Sequence, residues 1–435
     1  MKTHRNDQAN CRREYRQFFL AGKTGENSRI SLGKDMDKRN FNENDMGKET
    51  VYDGFTLIRK EPVGRPPLFE SDTAEEVLRF HRSIPDYHMS ELYSLKQTAK
   101  RYKVDSILIK DESTRFGLKA FKGLGGSYCM YRILCEKLGL DPLKNDFNTF
   151  LREDIRRSCA KIEFVTATDG NHGKGISWAA KLFGCQAHVY MPKGTVEARR
   201  KAIEDAGNAK ATVLDLNYDD TVRYAAGLAK EKRWILIQDT SWEGYEEIPK
   251  RIIEGYLTMA AEIGIQTKKR PTHIFLQAGV GSMAGGIESC FWERSKPFVT
   301  IVEAKEAACI YESVRIDDGM PHSILGDPVT IMAGLNCGTP CEIVWPVLRD
   351  CSSAYCACDD SITKRGMKAY AYPIGDDPRI ISGESGAVTY GLLLTILEDE
   401  ELRKVFRIDE DSIILLINTE GDTDPEGYEA VLNEE

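Results

Sequence analysis

The sequence lacks several features that would tie the protein to a membrane or to nucleic acid. It contains no run of about 18 apolar residues, so we expect no membrane span. The first residues are charged and are not followed by an apolar stretch with a small-residue cleavage site, which predicts a cytoplasmic protein. The net charge is -9, and no stripe of lysine and arginine offsets it, so we expect no nucleic-acid partner.

Paired metal-binding cysteine motifs are also missing, although the chain contains 12 cysteines. The tightest group, Cys351, Cys356 and Cys358, contains no Cys-x-x-Cys pair. The spaced pair Cys337 and Cys341 has no matching second pair. We therefore expect no metal site and reduced thiols.

What the chain does contain is a repeated alternation of short apolar strands with helices, most clearly from residue 163 onward. This alternation predicts parallel sheets covered by helices on both faces. At 435 residues the chain is long enough for two domains. We predict an α/β fold with two lobes of mainly parallel sheet flanked by helices, and an active site between the lobes.

The expected domain boundaries follow this pattern. Residues 1–50 are polar and lack periodic apolar positions, which predicts a mobile N-terminal arm. Residues 51–123 and 240–435 are assigned to a large α/β lobe, and residues 124–239 to a small α/β lobe. Ahead of the first glycine-rich stretch, we predict a helix from Ser90 to Tyr102.

The first candidate stretch is AFKGLGG, residues 120–126, which opens a predicted helix. A glycine inside a helix costs about 1 kcal/mol relative to alanine, so three glycines suggest that a ligand lies flat against the backbone beside Lys122. A lysine at the positive end of a helix dipole is expected to have a lowered pKa and to act as a nucleophilic amine. Such an amine forms a Schiff base with an aldehyde such as that of pyridoxal phosphate. The motif alone equally fits a surface lysine on a glycine-rich turn.

The second stretch is TATDGNHGKG, residues 166–175, which joins a predicted strand to a helix. Backbone N–H groups at such a turn bind anions. The side chain of Asn171 can hydrogen-bond an aromatic hydroxyl or a carboxylate, and Asp169 lies in the same turn. A capped turn without a ligand also fits this stretch.

The third stretch is QAGVGSMAGG, residues 277–286, again between a strand and a helix. Its glycines and the hydroxyl of Ser282 suit a phosphate resting on the helix N-terminus. Gly279, Gly281 and Ala284 also match the GxGxxA turn of dinucleotide-binding proteins, with Glu303 ending the next strand. A nicotinamide-dependent dehydrogenase would use that acid on the ribose. We disfavour this alternative because it leaves the first two stretches unexplained.

Together these stretches resemble the fold-type II pyridoxal phosphate enzymes, the class of the tryptophan synthase β-subunit and threonine dehydratase. The similarity extends from about residue 51 to the end of the chain. It rests on KDESTRFGLKAFKGLGG, TATDGNHGKGISWAA, QDTSWEGYEEIP, QAGVGSMAGG, TIMAGLNCG, GESGAV and NTEGDTDPEGY. Within the class, the similarity is greatest to members that act on the small amino acid 2,3-diaminopropionate.

The resemblance implies pyridoxal 5'-phosphate as the cofactor and a homodimer as the assembly. It implies a Schiff base at Lys122, Asn171 beside the cofactor O3, and the hydroxyl of Thr419 near the pyridine nitrogen. The residues that it implies for the phosphate are Gly279, Val280, Gly281, Ser282 and Met283.

Two aspartates bear on the substrate. Asp169 stands where most members of the class carry a small residue. The resemblance implies that Lys122 deprotonates the L-isomer and Asp169 the D-isomer. Asp169 and Asp239 both follow predicted strands, and nearby carboxylates would hold the β-ammonium of the substrate by charge-assisted hydrogen bonds. Asp239 could instead cap the turn that follows it.

The predicted activity is α,β-elimination of 2,3-diaminopropionate to pyruvate and two ammonia. The alternatives are an L-serine or L-threonine dehydratase and a non-catalytic protein that binds pyridoxal phosphate.

Overall fold

The computed structural model describes residues 46–64, 68–69, 72–168, 170–324, 326 and 328–434. Of the predicted N-terminal arm, only residues 46–50 belong to this part of the chain, and Asp169 lies outside it. Among the described helices, none has the length and apolar character needed to cross a bilayer.

The described residues form two β-sheets and a set of helices around them. The strands are β1 (Glu49–Tyr52), β2 (Phe55–Arg59), β3 (Leu92–Ser94), β4 (Ser106–Asp111), β5 (Glu163–Ala167), β6 (Gln186–Met191), β7 (Ala209–Val213), β8 (Ile235–Leu236), β9 (His273–Gln277), β10 (Phe298–Ala304), β11 (Ala354–Cys358) and β12 (Ile413–Asn418). The α-helices are α1 (Thr73–Ser83), α2 (Lys96–Tyr102), α3 (Lys122–Leu138), α4 (Glu153–Cys159), α5 (Asn171–Phe183), α6 (Glu197–Ala206), α7 (Tyr218–Lys232), α8 (Glu247–Gln266), α9 (Ser282–Ser295), α10 (Cys309–Ile316), α11 (Trp345–Cys351), α12 (Asp360–Ala371), α13 (Glu384–Leu397), α14 (Glu400–Val405) and α15 (Pro425–Asn433). Short 3-10 helices span Arg115–Gly117, Phe147–Leu151, Lys305–Ala307 and Ala333–Leu335.

The larger sheet has eight strands in the order β1-β2-β11-β10-β9-β12-β4-β3. Its five central strands, from β11 to β4, are parallel, and the outer strands β1, β2 and β3 are antiparallel to their neighbours. The smaller sheet has the order β7-β6-β5-β8 and is parallel throughout. The predicted α/β fold class is therefore confirmed, whereas the predicted lobe boundaries stay a prediction.

The central strands are apolar along their whole length because both faces of the larger sheet are covered. Every residue of β9 is buried. Ile274 and Leu276 belong to one hydrophobic cluster, and Phe275 between them belongs to a second cluster. Alternate side chains therefore enter cores on opposite faces, as expected for a parallel sheet between two layers of helices.

The helix predicted from Ser90 to Tyr102 was wrong in its first half. Leu92–Ser94 forms β3, which pairs with Lys110–Leu108 of β4 as an edge strand, and α2 begins only at Lys96. The strand is three residues long, too short for its side-chain period to be recognised in the sequence. Strand β11 was also not predicted, although all five of its residues are buried.

The carboxyl ends of the parallel strands determine where the candidate site residues lie. The chain leaves β4 toward Lys122, β5 toward Asn171 and β8 toward Asp239. The turn at Gly279 follows β9, and Thr419 follows β12 directly. Ligand sites of open α/β sheets form at these strand ends.

Candidate active site

One cavity gathers the predicted site residues of the described chain. Its lining includes Lys122, Asn171, Asp239, Thr419 and the turn 279–283. These residues come from five separate stretches of the chain, two of which follow strands of the smaller sheet. Asp169 lies outside the described residues, so its relation to the cavity stays a prediction.

Lys122 is the first residue of α3, and its amine faces an acid. Its Nζ atom donates a hydrogen bond to Oδ2 of Asp239 at 2.6 Å. The side chain of Lys122 is 19% exposed and that of Asp239 is 12% exposed, so water screens the pair only weakly. This hydrogen bond thus connects Lys122, which follows β4 of the larger sheet, to Asp239, which follows β8 of the smaller sheet.

The charge of Asp239 determines the protonation of Lys122. Burial alone would lower the pKa of Lys122, but the negative charge of Asp239, assisted by Tyr256, outweighs burial and raises this pKa above its ordinary value. Burial likewise disfavours the Asp239 carboxylate, but the charge and the hydrogen bond of Lys122 hold the pKa of Asp239 well below its ordinary value. The predicted lowering of the Lys122 pKa was therefore wrong in direction, because only the helix dipole was considered and not the charge of Asp239, which lies 117 positions away in the sequence.

Gly125, the second of the three glycines after Lys122, has a different role from the one predicted. A Cβ atom on Gly125 would lie 2.5 Å from Cε1 of Tyr256 on α8. On the other helix, a Cβ atom on Gly255 would lie 2.7 Å from Cα of Gly125. These two glycines therefore allow close packing of α3 against α8, rather than the approach of a flat ligand.

His172 is a site residue that the sequence analysis missed. It lines the cavity, and its Nδ1 atom lies 3.6 Å from Oδ2 of Asp239. Its Nε2 atom lies 2.9 Å from the carbonyl oxygen of Ile237. Burial lowers the pKa of His172, which favours the neutral ring with Nε2–H donating to that carbonyl. The only feature of the sequence that could have indicated His172 as a site residue is its position directly after Asn171.

Asn171 opens α5 and also contacts an acid that the sequence analysis missed. Its Nδ2 atom donates a hydrogen bond to Oε2 of Glu420 at 2.6 Å. Glu420 lines the cavity and is buried. In the sequence, only its position directly after Thr419 could have indicated Glu420 as a site residue. Its contact with Asn171 joins residues that are 249 positions apart.

The turn at 279–283 has the geometry of an anion site. Gly281 has φ +89° and immediately precedes α9. The first intrahelical hydrogen bond runs from the nitrogen of Gly285 to the carbonyl oxygen of Gly281, so earlier N–H groups of the helix point toward its N-terminus. Ser282 adds a buried hydroxyl, which donates to the carbonyl oxygen of Asp239 at 3.1 Å. This arrangement suits a phosphate group.

The hydroxyl of Thr419 is oriented by Gln277. The Nε2 atom of Gln277 donates to Oγ1 of Thr419 at 3.0 Å. Because the oxygen accepts that bond, its own proton is available for a ligand acceptor such as a pyridine nitrogen. An amine, a helix N-terminus and a hydroxyl donor around one cavity fit pyridoxal phosphate.

The dinucleotide alternative is not supported by the position of Glu303. Its carboxylate accepts hydrogen bonds from the backbone nitrogens of Ile310 at 2.9 Å and Tyr311 at 2.6 Å. The side chain is fully buried at the start of α10. It therefore caps a helix and is not presented to the ribose of a nucleotide.

The pyridoxal-phosphate dependent enzyme family matches residues 85–419 of this chain. The match, the fold and the lysine at the cavity define the class of the protein as a fold-type II pyridoxal phosphate-dependent enzyme. The predicted cofactor, pyridoxal 5'-phosphate, is thereby confirmed.

Comparison with known proteins narrows this assignment. Diaminopropionate ammonia-lyase of Salmonella typhimurium is 45% identical over 376 residues, which cover 84% of this chain and 93% of the relative. The crystal structure of diaminopropionate ammonia lyase from Escherichia coli in complex with D-serine superimposes with a TM-score of 0.81 and 39% identity, over 87% of this chain and 97% of that chain. The same enzyme in complex with an aminoacrylate-PLP azomethine reaction intermediate gives a TM-score of 0.80 and 40% identity, over 88% and 98%. The chain belongs to the diaminopropionate ammonia-lyase family.

Proposed function

We propose that this protein converts 2,3-diaminopropionate to pyruvate and two molecules of ammonia. The observation that carries the proposal is the distance of 2.6 Å between Nζ of Lys122 and Oδ2 of Asp239. A carboxylate that pairs with the amine of Lys122 supports a role for Asp239 in holding a cationic amine at this place in the cavity. A substrate with a β-ammonium group uses such a carboxylate as its counter-ion, whereas a β-hydroxyl group does not need one.

The roles of the individual residues follow from their positions. Lys122 binds the cofactor and takes the α-proton of the L-isomer on its amine. Asp239 holds the β-nitrogen as an ammonium, so that the carbon–nitrogen bond breaks with a protonated leaving group. When bound, pyridoxal phosphate supplies the electron sink for the charge left on the α-carbon. The 2-aminoacrylate that is released reacts with water to give pyruvate and the second ammonia.

Three further groups hold the cofactor in this proposal. The N–H groups of the turn 279–283 would bind its phosphate, and the hydroxyl of Ser282 would join them by turning its proton away from the carbonyl oxygen of Asp239. Asn171 would lie beside O3, and Thr419 would donate a hydrogen bond to the pyridine nitrogen. Support for this set comes from the geometry of the turn and from the Gln277 contact that leaves the Thr419 proton available.

We assign Asp169 as the second base, which takes the α-proton of the D-isomer. Its place in the sequence between Thr168 and Asn171, which both line the cavity, supports this role. The complex of the Escherichia coli enzyme with D-serine, an amino acid of the same configuration, also supports it. The homodimer and the cytoplasmic location are proposals as well, supported by the class resemblance and by composition respectively.

The test is pyruvate release by the purified protein from L- and D-2,3-diaminopropionate, with L-serine and L-threonine measured in parallel. We expect turnover of both diaminopropionate isomers and much slower turnover of the hydroxy amino acids. Activity confined to serine or threonine would favour the dehydratase, and cofactor binding without any turnover would favour the non-catalytic protein.

Lys122→Ala should abolish activity, and Lys119→Ala, which removes an exposed amine paired with Asp422, is the matched control.

A further inference from the structure

Glu420 connects separate segments of the cavity wall through its two carboxylate oxygens. Oε2 accepts the hydrogen bond from Nδ2 of Asn171 at 2.6 Å. Oε1 accepts a hydrogen bond from the backbone nitrogen of Ser385, in the first turn of α13, at 3.1 Å. The Oγ atom of Ser385 in turn accepts from the backbone nitrogen of Gly334 at 2.9 Å. Asn171, Glu420, Ser385 and Gly334 all line the cavity.

The backbone of Glu420 is fixed beside the reactive lysine. Glu420 forms an isolated antiparallel bridge with Ala120. On either side of it, the nitrogen of Phe121 donates to the carbonyl oxygen of Thr419 at 3.2 Å, and the nitrogen of Gly421 donates to the carbonyl oxygen of Lys119 at 3.0 Å. The carboxylate of Glu420 therefore has a defined position relative to Lys122.

The contact between Asn171 and Glu420 also spans the two sheets. Asn171 follows β5 of the smaller sheet, and Glu420 follows β12 of the larger sheet. One turn further along α5, Nζ of Lys174 donates to the carbonyl oxygen of Leu118 at 2.8 Å. The first turn of α5 is thus attached at two points to segments that follow the larger sheet.

We propose that Glu420 is a positioning residue that fixes the Asn171 carboxamide for the cofactor. A carboxylate only accepts hydrogen bonds, so it admits the orientation in which Asn171 presents Nδ2 and excludes the flipped orientation, in which two oxygens would face each other. The second N–H of Nδ2 and the Oδ1 atom are then held in a fixed direction. This inference rests on the proposed function, because it takes Asn171 to lie beside O3 of pyridoxal phosphate.

The test compares Glu420→Gln with Asp422→Asn in the full-length protein. A glutamine at position 420 can either accept from Nδ2 of Asn171 or donate to its Oδ1, so it permits both orientations of the Asn171 carboxamide. It also replaces a charged acceptor by a neutral one. We expect the Kd of pyridoxal phosphate for the apoprotein to rise about tenfold, equivalent to about 1.4 kcal/mol. At saturating cofactor, the visible absorption spectrum of the bound cofactor should differ from that of the wild type. We expect kcat on diaminopropionate to fall about tenfold with little change in KM, because Asn171 contacts the cofactor and not the substrate.

Asp422→Asn is the matched control, since it removes a carboxylate two residues away that pairs with Lys119 at the surface. It should leave the Kd and the spectrum unchanged. If Glu420→Gln keeps the wild-type Kd and the wild-type spectrum, the proposal is overturned. It is also overturned if the variant loses thermal stability and nothing else changes. If Glu420→Gln does not fold, Glu420→Asp keeps the charge on a shorter side chain. It should weaken cofactor binding and change the spectrum, and wild-type values would again overturn the proposal.

The Kd and the spectrum need no turnover, so they test Glu420 even if diaminopropionate proves not to be the substrate. A failure of the proposed function would appear instead in the wild-type protein, as the absence of pyruvate release.

Discussion

Lys122 and Asp239 form a partly buried ion pair across the two sheets, with 2.6 Å between Nζ and Oδ2. The pair places the amine proposed to bind the cofactor and the carboxylate proposed for the substrate ammonium in direct contact. Since Asp239 raises the pKa of Lys122, the amine of the cofactor-free protein carries its proton at neutral pH. It must lose that proton before it can react with an aldehyde.

Replacing Asp239 by asparagine should separate its effect on the pKa of Lys122 from its proposed role as the counter-ion of the substrate ammonium. Without the negative charge, burial should lower the pKa of Lys122, so the apoprotein should take up pyridoxal phosphate at lower pH than the wild type does. The same change removes the partner of the substrate ammonium, so KM for diaminopropionate should rise about tenfold or more. Stopped-flow absorbance across a pH series and steady-state kinetics measure the two quantities.

Asp317→Asn is the control, because the side chain of Asp317 is 68% exposed and pairs with Lys60 at the surface. An unchanged pH dependence of cofactor uptake in Asp239→Asn would contradict the assignment of Asp239 as the group that determines the pKa of Lys122.

Replacing Asp169 by asparagine should change the stereochemistry of the reaction. Loss of a positioned base costs about 100-fold or more in rate, so turnover of D-2,3-diaminopropionate should fall by that factor. Turnover of the L-isomer, which relies on Lys122, should stay within about threefold of the wild type. The L-isomer is therefore the internal control, and an equal loss on both isomers would assign Asp169 a structural role in the turn.

The residues that could be predicted from the sequence share a local signature. Lys122, Asn171 and Gly281 each lie at the start of a helix, next to glycines or after an apolar strand. Strand–turn–helix units are encoded over about ten residues, and parallel strands bring their carboxyl ends to one edge of a sheet. The fold class and the location of the cavity follow from this local information.

The residues that could not be predicted act through contacts between distant segments. Glu420 meets Asn171 across 249 positions, and no local pattern marks that contact. The role of Gly125 depends in the same way on Tyr256, which lies on a different helix. The direction of the Lys122 pKa shift was missed because Asp239 was considered only as a partner for the substrate.

Gly281→Ala should weaken cofactor binding more than an equivalent change in an open turn. Gly281 has φ +89°, and a Cβ atom there would lie 2.6 Å from Cδ1 of Leu348 and 2.9 Å from Cδ1 of Ile310. Backbone strain and this overlap should displace the N-terminus of α9 from the phosphate, so we expect the Kd of pyridoxal phosphate to rise about tenfold. Isothermal titration of the apoprotein measures the change.

Gly194→Ala provides the matched control for backbone strain. Gly194 has φ +84°, but a Cβ atom there would meet nothing within 4 Å. It should lower stability by about 1–2 kcal/mol and leave the Kd unchanged. An equal effect of both variants on the Kd would indicate that the turn at Gly281 does not hold the phosphate.

We expect the free energy of unfolding to decrease in mild acid because His81 is buried in its neutral form. Its ring is buried beneath α3, with Nδ1 2.6 Å from Oγ1 of Thr258 and Nε2 3.1 Å from the carbonyl oxygen of Leu124. Burial, assisted by the charge of Arg115, lowers the pKa of His81 to about 3. In the unfolded chain a histidine has a pKa of about 6.5, so below that pH the unfolded state binds a proton that the folded state does not bind.

The contribution of His81 to stability is therefore complete above pH 6.5 and decreases as the pH falls toward 3. His81→Gln removes this titration. We expect the difference in unfolding free energy between wild type and variant to shrink by about 2 kcal/mol from pH 7 to pH 5. Urea unfolding at a series of pH values measures it, with His88→Gln as the control for removing an exposed histidine. A difference that is the same at pH 7 and pH 5 would show that His81 does not remain neutral in the folded protein.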